Sequence, residues 1–264
     1  MSTDIGVPVT GYAPVHGLRL YYEIHGEGRP LVLLHGGLLT VQLSFGALLP
    51  ALASRHQVIA VELQGHGRTA DSEREMSIAN LAEDVVGLLD RLGIEQTDLY
   101  GFSLGGLVAL QAAMRHPDRV RRLVVASIQF RPDGFFEEIR DPEAYPNSER
   151  MPTAADFNSM REDYQRVAPD PDHFEAFAEK TSNMVGAFTG WTDDELRALA
   201  VPTLVMLGDT DFVRIEHAAE MFSLIPDAQL AVLPGATHMD LTRRADLVLP
   251  VVESFLGEAD RSNC

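Results

Sequence analysis

Cysteine is almost missing from this 264-residue chain, and the one present, Cys264, is the last residue. A disulfide within the chain is therefore excluded, and no cysteine-based zinc or redox site can be assembled. Long apolar runs are missing as well, since none approaches the ~18 uninterrupted apolar residues of a membrane-spanning helix. The opening residues Met1 to Pro8 have neither a basic start nor a continuous apolar stretch. No secretory signal is expected there, and the expected location is the cytoplasm. Positive charge is scarce: 21 Lys and Arg stand against 39 Asp and Glu, a formal net charge of −18. Such a surface repels phosphate backbones and anionic lipid, so neither nucleic acid nor a membrane is an expected partner. Internal repeats and low-complexity tracts are absent too.

What is present is the composition of an ordinary soluble globule, 45% hydrophobic and 23% charged. Its length suffices for one large domain or two small ones with a substantial core. Leu18 to His25 alternates and is β-rich after a turn at His16-Gly17, which predicts an antiparallel opening hairpin. Pro30 to Leu34 is instead continuously apolar, the pattern of a strand covered on both faces. A helix over Phe45 to Ala53 and a buried strand over Gln57 to Glu62 follow. Ser77 is placed to cap a helix that Gly93 ends. Thr97 to Tyr100 reads as a short strand, Leu107, Leu110, Gln111 and Met114 as a helix, and Arg121 to Ser127 as a further strand. Strands and helices thus alternate from residue 30, which implies right-handed βαβ crossovers and a mainly parallel sheet with helices on both faces.

That rhythm breaks between 131 and 200, where prolines separate short helical stretches and aromatic and methionine residues are scattered among charges. It resumes with a strand at Pro202 to Leu207, a helix at Ile215 to Ile225, a strand at Ala228 to Leu233 and a final helix at Ala245 to Leu256. The chain therefore divides into a core, 1–130 with 201–264, and an insert of 131–200.

Chemistry concentrates at Gly101-Phe102-Ser103-Leu104-Gly105, where a strand turns directly into a helix. Glycines on both flanks remove Cβ atoms from a tight turn and let the serine adopt a strained, exposed conformation. The helix that begins beside it presents unpaired N–H groups and a positive dipole end, both suited to an oxyanion. His35-Gly36-Gly37-Leu38 ends the first buried strand, and its glycines free further backbone N–H groups. Gly208-Asp209-Thr210-Asp211 and Pro234-Gly235-Ala236-Thr237-His238-Met239 end two later strands. Ligands of open α/β sheets bind at such strand ends.

With the pattern G-x-S-x-G on a strand-to-helix turn, and with serine, acid and histidine in that order, the chain resembles the α/β-hydrolase family from about Tyr21 to Leu256. The resemblance implies an α/β-hydrolase fold in which Ser103 is the nucleophile, His238 the general base and Asp211 the acid that orients it. Asp209 is the reserve for the acid. It further implies an oxyanion hole from the N–H groups of Gly37 and Leu104, and a helical cap formed by 131–200 over the serine. The loop Gln64-Gly65-His66-Gly67-Arg68-Thr69 departs from the family pattern, because Glu62 and Gln64 stand where Asp and Arg are usual. His35 and His66 are read as structural.

A medium-sized, largely apolar ester or lactone is the expected substrate, cleaved through an acyl-enzyme with no metal or cofactor. Candidates for the pocket wall are Leu38, Phe130, Phe136, Met160, Phe188, Trp191, Phe212 and Met239. Serine at the turn, rather than aspartate, argues against displacement at saturated carbon. The rivals are C–C hydrolysis of a β-diketone on the same residues and, from a different class, a ligand-binding receptor. The number of subunits stays open, a homodimer included.

Overall fold

A computed structural model describes residues 7–257 apart from Pro142, Pro146 and Asn147. The expectations about the first residues and about Cys264 lie outside the described residues. Among the described residues eight strands form one sheet: β1 (Val9–Val15), β2 (Leu18–His25), β3 (Arg29–Leu34), β4 (His56–Glu62), β5 (Thr97–Phe102), β6 (Val120–Ala126), β7 (Thr203–Gly208) and β8 (Ala228–Leu233). Their spatial order is β1-β2-β4-β3-β5-β6-β7-β8. The opening hairpin pairs antiparallel, with Val15 opposite Leu18, and β2 pairs antiparallel to β4. Every pairing from β4 across to β8 is parallel. This is the mainly parallel sheet that the alternating pattern predicts.

Leu31 to Leu34 are fully buried, as are all six residues of β5 and β7. Continuous apolar stretches sit at the sheet centre because helices cover both faces there. The helix Ile78–Leu92 turns Leu81, Val85, Leu88 and Leu89 inward at helical spacing. Its ends follow the local chemistry. The Ser77 hydroxyl accepts from the Asn80 N–H, and Gly93 takes a left-handed φ of 69° that glycine adopts without a Cβ clash.

One helix differs from the expectation. The Phe45 to Ala53 stretch divides into helices Val41–Phe45 and Leu49–Ala53. Gly46 ends the first, while Pro50 suits the first turn of the second, where its missing N–H costs nothing.

The position of β3 decides where a site can form. From β3 the chain moves to β4 on one side, then crosses to β5 on the other. The connections after β3 and β5 leave in opposite directions, which opens a crevice beyond their carboxyl ends. Between β6 and β7 the helices Ala154–Val167 and Phe174–Gly186 form the main part of the insert. Phe177 is fully buried, stacked on Tyr164 at 5.4 Å and edge-on to His66 at 4.6 Å, so the insert is packed onto the loop after β4. Burial of a side chain of this kind contributes about 1.5–3 kcal/mol.

Candidate active site

Ser103 follows β5 directly and precedes the helix Leu104–Arg115. Its φ of 53° and ψ of −119° are strained for a residue with a Cβ, and its N–H donates to the Ala126 carbonyl at 2.8 Å. The flanking glycines are required by close approach. A Cβ on Gly101 would lie 2.2 Å from the Gly105 oxygen, and one on Gly105 would lie 2.0 Å from the Leu34 oxygen. The turn therefore seats the start of the helix against the end of β3.

Gly37 ends up beside Leu104, where a Cβ on Gly37 would be 3.8 Å from the Leu104 Cβ. Among the described residues, the N–H groups of Gly37 and Leu104 have no hydrogen-bond partner. Two free donors thus lie at a helix N-terminus beside the half-buried Ser103, an arrangement that can favour negative charge.

Asp211 is fully buried past the end of β7. Its Oδ1 faces His238 Nδ1 at 3.0 Å and also accepts from the Val213 N–H at 3.1 Å, while Oδ2 accepts from the Ser127 hydroxyl. Burial opposes ionisation of this carboxyl, but His238 and the donors Ser127 and Val213 outweigh it and hold the group below its usual value. The acid therefore stays ionised. With Asp211 as acceptor, His238 carries its proton on Nδ1 and leaves Nε2 free to accept. The imidazole lies between two rings, Phe102 at 4.8 Å and Phe212 at 3.9 Å. Asp209 has another task, because its Oδ1 accepts from the Ala236 N–H at 3.2 Å and ties down the loop that carries His238.

A cavity of about 450 Å³ joins these parts, with Ser103, Leu104, Gly37 and His238 in its wall. Of the expected wall residues it includes Leu38, Met160, Phe212 and Met239. The other four expected residues lie outside the wall. Phe130 is sealed in the core, stacked on His217 at 4.3 Å, and Phe136 lies under the Arg150 guanidinium at 3.9 Å. Phe188 packs edge-on against Trp191, whose indole N–H donates to Gln111 on the helix behind Ser103. Trp191 thereby fastens the insert to the core, while Phe136 packs within the insert.

Their places in the wall are taken by Phe135, Tyr145, Met151, Phe157, Thr181 and Gln129. Sequence reasoning also missed Ser127. The sequence pattern makes it the last residue of a strand, but β6 ends at Ala126 and Ser127 turns to a φ of 56°. A polar residue ending an apolar strand was the available signal.

His35 and His66 lie outside the cavity wall. His35 donates from Nδ1 to the Gly36 carbonyl and accepts at Nε2 from the Leu63 N–H, which pins the loop after β3. Complete burial drives its pKa down to about 4, against the Gly36 bond that raises it, so the ring is neutral. Glu62, at the departure from the family pattern, is also buried and receives the Arg68 backbone N–H and guanidinium. Gln64 donates to Asp71 and to the Arg74 carbonyl. The substituted pair keeps a structural task in the loop.

Among the described residues no group of three or more His, Cys, Asp or Glu is placed to hold a metal ion, and no helix is long and apolar enough to cross a membrane.

Comparison with known proteins agrees with the fold. Residues 29–174 match the family model described as the alpha/beta hydrolase fold. A putative carbamate hydrolase of Azorhizobium caulinodans is 30% identical over 95% of this chain and 99% of its own. A 2-hydroxymuconate semialdehyde hydrolase of Pseudomonas putida is 31% identical, covering 92% of each. Among solved structures, the enol-lactonase of Burkholderia xenovorans LB400 superimposes with a TM-score of 0.71 at 26% identity, covering 94% of this chain and all of that one. With the matched model spanning more than half of its length and relatives of this identity covering nearly all of it, the chain belongs to the α/β-hydrolase fold family.

Proposed function

We propose that the protein is a serine hydrolase that cleaves a neutral, largely apolar carboxylic ester or lactone through an acyl-enzyme. The observation that carries this reading is the 3.0 Å contact of Asp211 with His238, on a cavity whose wall also holds Ser103.

In this mechanism His238 Nε2 takes the Ser103 hydroxyl proton as the oxygen attacks the substrate carbonyl carbon. Asp211 holds the imidazole in the required tautomer and stabilises its charged form. The carbonyl oxygen becomes an oxyanion in front of the Gly37 and Leu104 N–H groups. Collapse expels the alkoxide, which takes the proton from His238 and leaves an ester on Ser103. Water, deprotonated by the same imidazole, then releases the acid and restores the serine. The segment 131–200 serves as a cap in this reading, since Met160, Thr181 and their neighbours supply much of the cavity wall.

The substrate class follows from the wall. Its described residues include no Lys, Arg, Asp or Glu, so a substrate carboxylate would lose its hydration with no cation to replace it. Neutral ligands are favoured for that reason. A second reading, C–C bond hydrolysis, is supported by the relative named for 2-hydroxymuconate semialdehyde, at 31% identity. The missing cation weighs against it, because a muconate-type substrate is a carboxylate.

A fluorophosphonate tests the nucleophile: intact mass should show one adduct that Ser103→Ala abolishes. Turnover of p-nitrophenyl esters of increasing chain length tests the substrate. kcat/KM should climb nearly fourfold per buried methylene, about 0.8 kcal/mol each, until the cavity is full. An adduct but no turnover would favour the receptor reading, and a steady decline from acetate would remove the roomy apolar pocket.

A further inference from the structure

Gln129 is an anomaly in the cavity wall. It lies past β6 between Ile128 and Phe130, and only 5% of it is exposed. An amide at this depth normally finds partners on the backbone around it. Here, among the described residues, neither its oxygen nor its nitrogen has a hydrogen bond, although the side chain shares the cavity with Ser103 and His238. Its base is pinned. The neighbouring Phe130 N–H donates to His217, and a Cβ on Gly134 would come within 2.6 Å of the Gln129 Cβ, so the side chain has no room to retreat on that side.

The rest of the wall offers the amide nothing comparable. The Thr181 hydroxyl is directed to the Met76 sulfur at 3.9 Å, and the surrounding groups are chiefly apolar. Two donors and an acceptor thus face a chiefly apolar, uncharged cavity without a protein partner.

We propose that Gln129 is a specificity-determining residue that hydrogen-bonds a second, uncharged oxygen of the substrate, carried away from the scissile bond. The substrate class becomes an ester or lactone that also bears an oxo or hydroxyl group. This rests on the hydrolase reading above and narrows it. A carboxylate is a poor occupant, because the amide supplies no positive charge. A plain alkyl chain is also poor, because it would cover the amide without satisfying it, and sites built to bond a polar group discriminate strongly against analogues that lack it.

The test uses p-nitrophenyl hexanoate beside its 4-oxo and 5-oxo analogues, with wild type, Gln129→Met and Gln129→Leu. Methionine keeps the length and bulk while removing the donors and the acceptor. The wild type is expected to prefer at least one oxo ester over hexanoate by about tenfold or more in kcat/KM, and both variants to bring that ratio within about twofold of unity. A ratio compares two substrates on the same sample, so partial loss of folded enzyme leaves it unchanged. Turnover of all three esters with equal ratios in wild type and variants overturns the role of Gln129 and leaves the hydrolase reading standing. No turnover of any ester, together with no phosphonate adduct at Ser103, overturns both.

Discussion

Phe212 lies flat against His238, with ring centroids 3.9 Å apart and planes 26° from parallel. Phe212, the residue after Asp211, therefore also braces His238. An aromatic face favours a cation above it, so the imidazolium of the proposed acyl transfer would gain from this stacking. Phe212→Leu is expected to lower kcat about three- to tenfold, the equivalent of roughly 0.5–1.5 kcal/mol. Steady-state kinetics on the best neutral ester would check this, and an unchanged kcat would reduce Phe212 to a wall residue.

Asp211 and Asp209 lie two residues apart and differ in their partners. Asp211→Asn should lower kcat by roughly 10⁴-fold, since an amide favours the wrong imidazole tautomer. Asp209→Asn keeps an oxygen for the Ala236 N–H and should cost less than about tenfold. If the larger loss fell on Asp209, the acid would have to be reassigned.

Ser127 donates to the same carboxylate. Hydrogen bonds to charged groups contribute about 1.5–3 kcal/mol. Ser127→Ala should therefore let the Asp211 pKa rise toward its ordinary value, and the acid limb of the kcat profile should move to higher pH. A pH–rate series on the variant measures that, and an unmoved limb would make Ser127 a packing residue only.

Buried His35 gives the fold an acid sensitivity separate from catalysis. Its pKa of about 4 lies below the ordinary 6.5, so between those values the unfolded chain binds a proton that the folded chain refuses. Stability is then fully present above pH 6.5 and falls as the pH drops toward 4, by up to about 1.4 kcal/mol per pH unit for this group. Urea titrations at pH 7, 5.5 and 4.5 should show the decline, and His35→Gln should reduce its slope by about one proton. A slope identical in both proteins would place the sensitivity elsewhere.

Gly105 tests the geometry of the turn. A methyl group there would meet the Leu34 carbonyl at 2.0 Å, and the obstruction is backbone that cannot rotate away. Gly105→Ala should destabilise the fold by about 3 kcal/mol or more, readable as a lowered denaturation midpoint. A midpoint within error of wild type would mean that the helix can shift without cost.

The sequence by itself determined the elements of the core and the family. Leu31 to Leu34 and Val58 to Val61 are apolar without interruption because both sheet faces are covered, and a local pattern records that directly. Ser103, Gly37, Leu104, Asp211 and His238 were legible because each stands beside a glycine or past a strand end, where backbone chemistry restricts the choice of residue.

Only the tertiary structure decided what surrounds them. Phe130 and Phe135 are five residues apart in the same irregular stretch, and nothing local separates the ring sealed on His217 from the ring that faces the cavity. The same holds for Phe188 and Phe157, of which the second reaches the wall. Which way an insert turns its aromatics depends on how its helices seat against distant strands, and those contacts leave no period in the sequence. Ser127 and Gln129 were hidden for a related reason. Each looks like a polar residue at a strand end; the meaning of Ser127 depends on Asp211, 84 residues away in the chain, and that of Gln129 on the cavity it helps to line.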